Sequence, residues 1–235
     1  MNMPLTRPRP SRDSSQSCVT FSPLAWLKLQ YLCHAGDTEV GGFGIAAEDD
    51  LLYIEDFFTV RQEVSPVSVC FNDMAVADFF DQCVDKGLSV QCFSRLWLHT
   101  HPGDSVIPSW VDEQTFHRCF GRCDWAVMFI LGRTGKTYAR LTYNTGPCAS
   151  VLLPTSVNWS AWPYLLNETD DPLQEHFERW QKEYVDNIHP LPELLPVKQL
   201  ISGQPDQKLE WWEGLPWRHE SDGVLYEIGG EGGIE

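Results

Sequence analysis

Two histidines one residue apart, His99 and His101, close the apolar run Leu96-Trp97-Leu98. Buried strands usually stop at turn residues, so a pair of imidazoles at a strand end calls for a chemical reason. Alternate residues of a strand share a face, and both rings can therefore reach one metal ion. A third ligand is available in Asp112, eleven residues after His101 in the first turn of an expected helix, with Ser109 three residues before it on roughly the same face. Two imidazole nitrogens and one carboxylate oxygen are an ordinary protein shell for catalytic zinc and leave a position for water. With a single anionic ligand such a site keeps a charge of about +1, which lowers the pKa of that water toward roughly 7. Hydrolysis of an amide also needs a group that takes a proton and returns it to the leaving nitrogen. Glu39 is the best placed: it opens "EVGGFG", where Gly41 and Gly42 permit close backbone approach.

These side chains have to be held by a regular succession of elements. Ser22 and Pro23 start an expected helix over residues 23–34, as N-cap and first helical residue. "EVGGFGIAA" and "LLYIEDFFTV" read as strands joined at Glu48-Asp49-Asp50, with another strand near "SVCF". "NDMAVADFFDQCVDKG" reads as a second helix that places Met74, Ala77, Phe80 and Val84 at helical intervals and stops at Gly87. "FSRLWLH" is then a strand, "SWVDEQTFHRCF" a third helix with Ser109 at or near its N-cap, and "WAVMFILG" and "TYARLTYN" a final strand pair. Being that cap is compatible with a role for Ser109 in chemistry. The expected class is α/β, a mixed sheet flanked by helices.

Composition limits the functions open to the chain. Its 235 residues are 43% hydrophobic and 21% charged, an ordinary globular mixture, and no apolar run nears the roughly 20 residues that span a bilayer. The net charge is −16, and residues 168–235 hold 16 acids against 5 bases. Such a surface repels phosphate backbones, which argues against nucleic acid as the main partner. Eight cysteines without a dense spacing framework, and no export-type apolar core after the basic leader, fit reduced thiols in a cytoplasmic protein. Cys119 and Cys123 lack two further ligands nearby and read as plain thiols. His117 reads as a solvent-facing helix residue, and His34 as a cation favoured by a helix C-terminus.

The expected organisation is a disordered leader over 1–17, a catalytic domain over 18–147, and an irregular acidic extension over 148–235. Within the extension "PLQEHFERWQKEYVDNI" reads as one helix capped by Asp171 and ended by "HPLPELLP". Trp211, Trp212 and Trp217 would either fold back as apolar anchors or dock another protein.

Glu39, then His99-x-His101-Pro102, six residues, and Ser109-x-x-Asp112 resemble the complete signature of the JAMM (MPN-plus) metalloproteases. The resemblance covers about residues 20–145. It implies a cytidine-deaminase-like JAMM/MPN fold, zinc held by His99, His101 and Asp112, Glu39 as general base and then general acid, and Ser109 stabilising the tetrahedral oxyanion. It also implies a substrate class, the peptide or isopeptide bond after the C-terminal Gly of a ubiquitin-like protein, present as a separate partner. A zinc hydrolase of small amides or carrier-protein thio-conjugates, or a scaffold of the same fold without catalysis, are the alternatives.

Overall fold

The computed structural model describes residues 17–161 and 172–192. The expected leader, except Ser17, the expected cap Asp171, and the tryptophans at 211, 212 and 217 lie outside the described residues. The architecture is mixed α/β. One sheet has eight strands in the order β10-β1-β3-β2-β6-β7-β8-β9, formed by β1 (Val19–Phe21), β2 (Val40–Ala47), β3 (Asp50–Phe58), β6 (Leu96–His101), β7 (Trp125–Gly132), β8 (Thr137–Tyr143), β9 (Ala149–Leu152) and β10 (Thr155–Val157). A smaller sheet joins β4 (Gln62–Ser65), β5 (Ser68–Phe71) and β11 (Ile188–Pro190) in the order β11-β4-β5. The helices are α1 (Pro23–His34), α2 (Asp73–Asp85), the short α3 (Val90–Phe93), α4 (Trp110–Phe120) and α5 (Pro172–Asn187). Among the described residues no helix is long and apolar enough to cross a membrane.

The large sheet is curled, and the chain shows why. Its two outermost strands, β9 and β10, are consecutive in sequence and separated only by Leu153-Pro154, so the edges must approach each other. Leu153 N–H donates to Ala139 on β8, and Val19 N–H on β1 donates to Pro154 O, each at 2.9 Å. This corrects the boundary expected after residue 147. The stretch read as an irregular extension supplies two strands of the same sheet, and 172–190 adds a helix and a strand. Both sheet strands are three or four residues long and β9 is exposed throughout, so they carry no alternating apolar pattern to read.

Strand alternation divides the core in two. Leu96 and Leu98 on β6, with Val127, Phe129 and Leu131 on β7, face one side and pack with Leu29 and Leu32 of α1. Trp97, Ala126, Met128 and Ile130 face the other side and pack with Phe116 and Phe120 of α4. By the same period His99 and His101 fall on the α4 side. The start of α1 follows the sequence: Ser22 Oγ accepts from Ala25 N–H at 3.1 Å, with Pro23 opening the helix. On α2 the stripe differs from the expected one. Met74, Ala77 and Val84 are exposed, while Val76, Phe79, Phe80 and Cys83 face the core. Two apolar rows run along this helix, and docking, not helical spacing, selects between them.

Helix α5 is fastened through a buried cation. Lys28 of α1, 3% exposed, lies 2.7 Å from Glu183 of α5 and 4.4 Å from the centre of the Phe58 ring. The other oxygen of Glu183 accepts from Thr59 N–H and Oγ1–H, both at 2.9 Å. Removing Glu183 leaves the buried Lys28 with Asp56, a longer contact at 3.8 Å, and so with a poorly compensated charge. Glu183→Ala is therefore expected to lower stability by about 3 kcal/mol in urea unfolding, and a loss under about 0.5 kcal/mol, typical of a surface change, would show the pair to be unimportant.

Candidate metal centre

Residues from three elements meet at one end of the large sheet. Strand β6 ends on His99 and His101, and α4 begins beside them with Asp112. Glu39 stands immediately before β2, which runs antiparallel to β6 with Val40 opposite Thr100 and Gly41 opposite His99. One step back along that register sets Glu39 across from His101. The backbone there is fixed by Glu39 N–H donating to Ser65 O at 2.9 Å, Val40 N–H to Thr100 Oγ1 at 3.1 Å, and a reciprocal pair between Gly41 and the buried Gln62 amide at 2.8 Å. Gly42 answers to close approach, as its sequence position implied: a Cβ there would stand 2.2 Å from Phe58 O on β3.

The ligand-type atoms of His99, His101 and Asp112 all lie within 4.8 Å of one another, and all three residues are buried. His99 Nε2 is 3.3 Å from Asp112 Oδ1, His101 Nε2 is 3.5 Å from Asp112 Oδ2, and His101 Nε2 is 3.6 Å from Glu39 Oε1. Atoms placed tetrahedrally about 2 Å from a zinc ion stand roughly 3.3–3.5 Å apart, the same spacing. Despite these short separations His99 Nε2, His101 Nε2 and Glu39 Oε2 are buried with no aligned hydrogen-bond partner among the described residues. A buried polar atom left so costs about 1–3 kcal/mol, and one cation would answer both nitrogens. The donor set therefore fits a divalent metal.

The surrounding bonds orient these groups. His101 Nδ1 lies 2.8 Å from Ser105 O, which makes it the protonated nitrogen and leaves Nε2 turned to Asp112 and Glu39. Ser109 caps α4 in a reciprocal box: its Oγ accepts from Asp112 N–H at 3.1 Å, and its N–H donates to Asp112 Oδ2 at 2.6 Å. The hydroxyl proton of Ser109 is not used by that box.

Electrostatics separates the two carboxylates. Burial works against the charge on Asp112, but His101, His99 and the Ser109 N–H outweigh it and hold the group well below the usual carboxylate range. Glu39, 3% exposed, is pushed up to about 7, chiefly by desolvation and further by Asp112, with His101 opposing. Burial depresses His99, and His101 is raised because Asp112, Ser105 O and Glu39 outweigh its own burial. One carboxylate stays charged near neutrality while the other can exchange a proton.

The structure thus gathers Glu39, His99, His101, Ser109 and Asp112 at one place. His117 is exposed on α4, His34 is exposed with Nδ1 2.9 Å from Gln30 O, and Cys119 and Cys123 line a cavity of about 390 Å³ under α2. All eight cysteines are free thiols. Three groups near the ligands lie outside the sequence motif. Gln62 and the Ser105 carbonyl gave no signal, whereas Trp97, two residues before His99 on the same strand face, was legible by period alone. In comparisons with known proteins, no family model matches the sequence and no curated protein matches it.

Proposed function

We propose that this chain is a zinc-dependent metallopeptidase of the JAMM type that hydrolyses the peptide or isopeptide bond after the C-terminal Gly of a ubiquitin-like protein. The observation that carries the reading is the convergence of His99, His101 and Asp112 within 4.8 Å beside a buried Glu39. His99 Nε2, His101 Nε2 and Asp112 would hold the metal, which supplies a Lewis acid that makes water acidic near neutral pH and polarises a carbonyl.

The protein's own groups account for the rest. Glu39 is a buried carboxylate beside the ligand set, within reach of a water at the metal, and its Oε2 has no hydrogen-bond partner among the described residues, so it is placed to accept a proton from the attacking water and return it to the departing nitrogen. Asp112 keeps its charge throughout, so it cannot compete for that proton. The hydroxyl proton of Ser109, which the capping box does not use, is available to the oxyanion that develops on the substrate carbonyl. Ser109→Ala separates this role from capping. It is expected to lose about 1 kcal/mol of stability and to reduce kcat by roughly 100-fold with little change in KM. A loss of stability with kcat intact would leave Ser109 a cap only.

The substrate class follows from the resemblance of the whole motif to the JAMM family. The test is metal analysis of the full chain together with cleavage of Gly-terminated ubiquitin-like fusions. One zinc per chain, cleavage after Gly, loss with a chelator and recovery with zinc are expected. Zinc without cleavage of any such fusion would overturn the substrate assignment, and a chain that takes up no zinc would overturn the enzyme.

A further inference from the structure

The two histidines are held in different ways. His101 has the common arrangement, one ring nitrogen toward the site and the other against a backbone carbonyl. His99 does not. Its ring is fully buried, and Nδ1 has no hydrogen-bond partner among the described residues. A metal on Nε2 would leave Nδ1 still unanswered, so among the described residues no hydrogen bond on the far side of the ring helps to fix its plane.

An aromatic column takes that place. The Trp97 indole, 1% exposed, stacks on the His99 ring with centroids 4.3 Å apart and planes inclined by 22°. The indole packs in turn with Phe116 and Phe120, at 6.2 and 6.3 Å and inclined by 21° and 20°, themselves 5.3 Å apart. Both phenylalanines follow Asp112 at intervals of four, so one face of α4 presents the carboxylate and the backstop together. Arg140 of β8 lies 5.4 Å over the Phe116 ring and forms a two-pronged pair with Glu113, at 2.6 and 2.7 Å, which ties α4 to the sheet.

We infer that Trp97 is the positioning residue for His99: the stacked indole, in place of a hydrogen bond at Nδ1, fixes the imidazole plane so that Nε2 faces Asp112 and His101. The inference rests on His99 being a metal ligand, as proposed above. Turning the ring out of its plane would drive it into the indole, which is itself buried and packed with Phe116 and Phe120. The ligand nitrogen is thus preset, and the metal does not bear the cost of ordering it.

The experiment measures zinc affinity of the full chain by chelator competition, and the d–d absorption of the protein loaded with cobalt alone. Trp97→Leu is expected to weaken zinc by roughly 10–100-fold, the range for lost outer partners of a ligand histidine, and to alter the cobalt bands. Trp97→Phe keeps a stacking ring and is expected to stay nearer wild type than Trp97→Leu in both. Phe129→Leu, a fully buried change on the opposite face of the sheet, controls for general loss of stability and should leave affinity unchanged. Wild-type affinity and spectrum in Trp97→Leu would overturn the inference, as would a Trp97→Phe protein as weak as Trp97→Leu, or an equal loss in Phe129→Leu. If Trp97→Leu does not fold, Phe120→Leu decides: weaker cobalt binding than Phe129→Leu supports the column, and equal binding overturns it. A wild-type chain without affinity for either metal removes the metal centre and this inference with it, whereas a metal-binding wild type with an indifferent Trp97 removes the inference alone.

Discussion

Glu39→Gln is expected to abolish cleavage, with kcat falling by about 1,000-fold or more, while zinc content and fold are retained. The amide has nearly the shape of the carboxyl but can neither accept the proton of water nor deliver it to nitrogen. Glu39 is adjacent to His101, at 3.6 Å, yet it is not one of the three groups whose geometry suits the ion, so metal uptake should survive. A Glu39→Gln protein that cleaves at the wild-type rate would end the assignment of base and acid.

The same substitution should stabilise the metal-free protein at alkaline pH. Desolvation raises the Glu39 carboxyl from 4.5 in the unfolded chain to about 7 in the folded one. A group raised in this way favours the fold fully below about pH 4.5, and that contribution is lost as pH rises through 7. At pH 8 the ionised carboxylate opposes folding by an amount on the order of 3 kcal/mol, and glutamine is free of it. Thermal unfolding of chelator-treated wild type and Glu39→Gln should show a gap that is small at pH 4 and opens toward pH 8. A gap independent of pH would mean that Glu39 is not held by burial as described.

Asp112→Asn is expected to cost more than 100-fold in zinc affinity, since it removes a ligand where loss of an outer partner alone costs roughly 10–100-fold. The carboxylate faces His99 through Oδ1 at 3.3 Å and receives the Ser109 N–H on Oδ2 at 2.6 Å. Asparagine can keep the second contact, because its carbonyl oxygen still accepts from the N–H of Ser109. It loses the negative charge that pairs with two imidazoles. The cap should survive and the metal should not, a split that chelator competition and helix content read separately. Tight stoichiometric zinc in Asp112→Asn would remove Asp112 from the ligand set. In the metal-free wild type, a carboxylate held below its usual range adds stability above about pH 4 that is lost on acidification.

Glu39 shows how a site can be legible in its parts and not in its assembly. The carboxylate stands sixty residues before His99, and no local pattern states that the two meet. Its selection came from what the chemistry lacked and from a family resemblance, while its position comes from the β2–β6 register. Helix α2 shows the opposite failure. The spacing of its apolar residues locates the helix, yet at that spacing Met74 is 70% exposed, because a helix with two apolar rows leaves the choice of buried face to its neighbours.

What one element's backbone geometry dictates is legible from the residues alone: that His99 and His101 share a strand face, that Ser109 caps the helix carrying Asp112, that Ser22 and Pro23 begin α1, and that the chain is a mixed α/β protein. Contacts between distant segments supply the rest. They set Glu39 opposite His101, put Ser105 O against one imidazole and Trp97 against the other, drew Ala149–Leu152 and Thr155–Val157 into the curled sheet and fastened α5 through Lys28. The division has one physical cause. Period and capping depend on residues within a turn or two of each other, whereas register, curl and docking depend on which distant surfaces exclude water together, and short exposed strands or a lone backbone carbonyl carry no mark of that in their own residues.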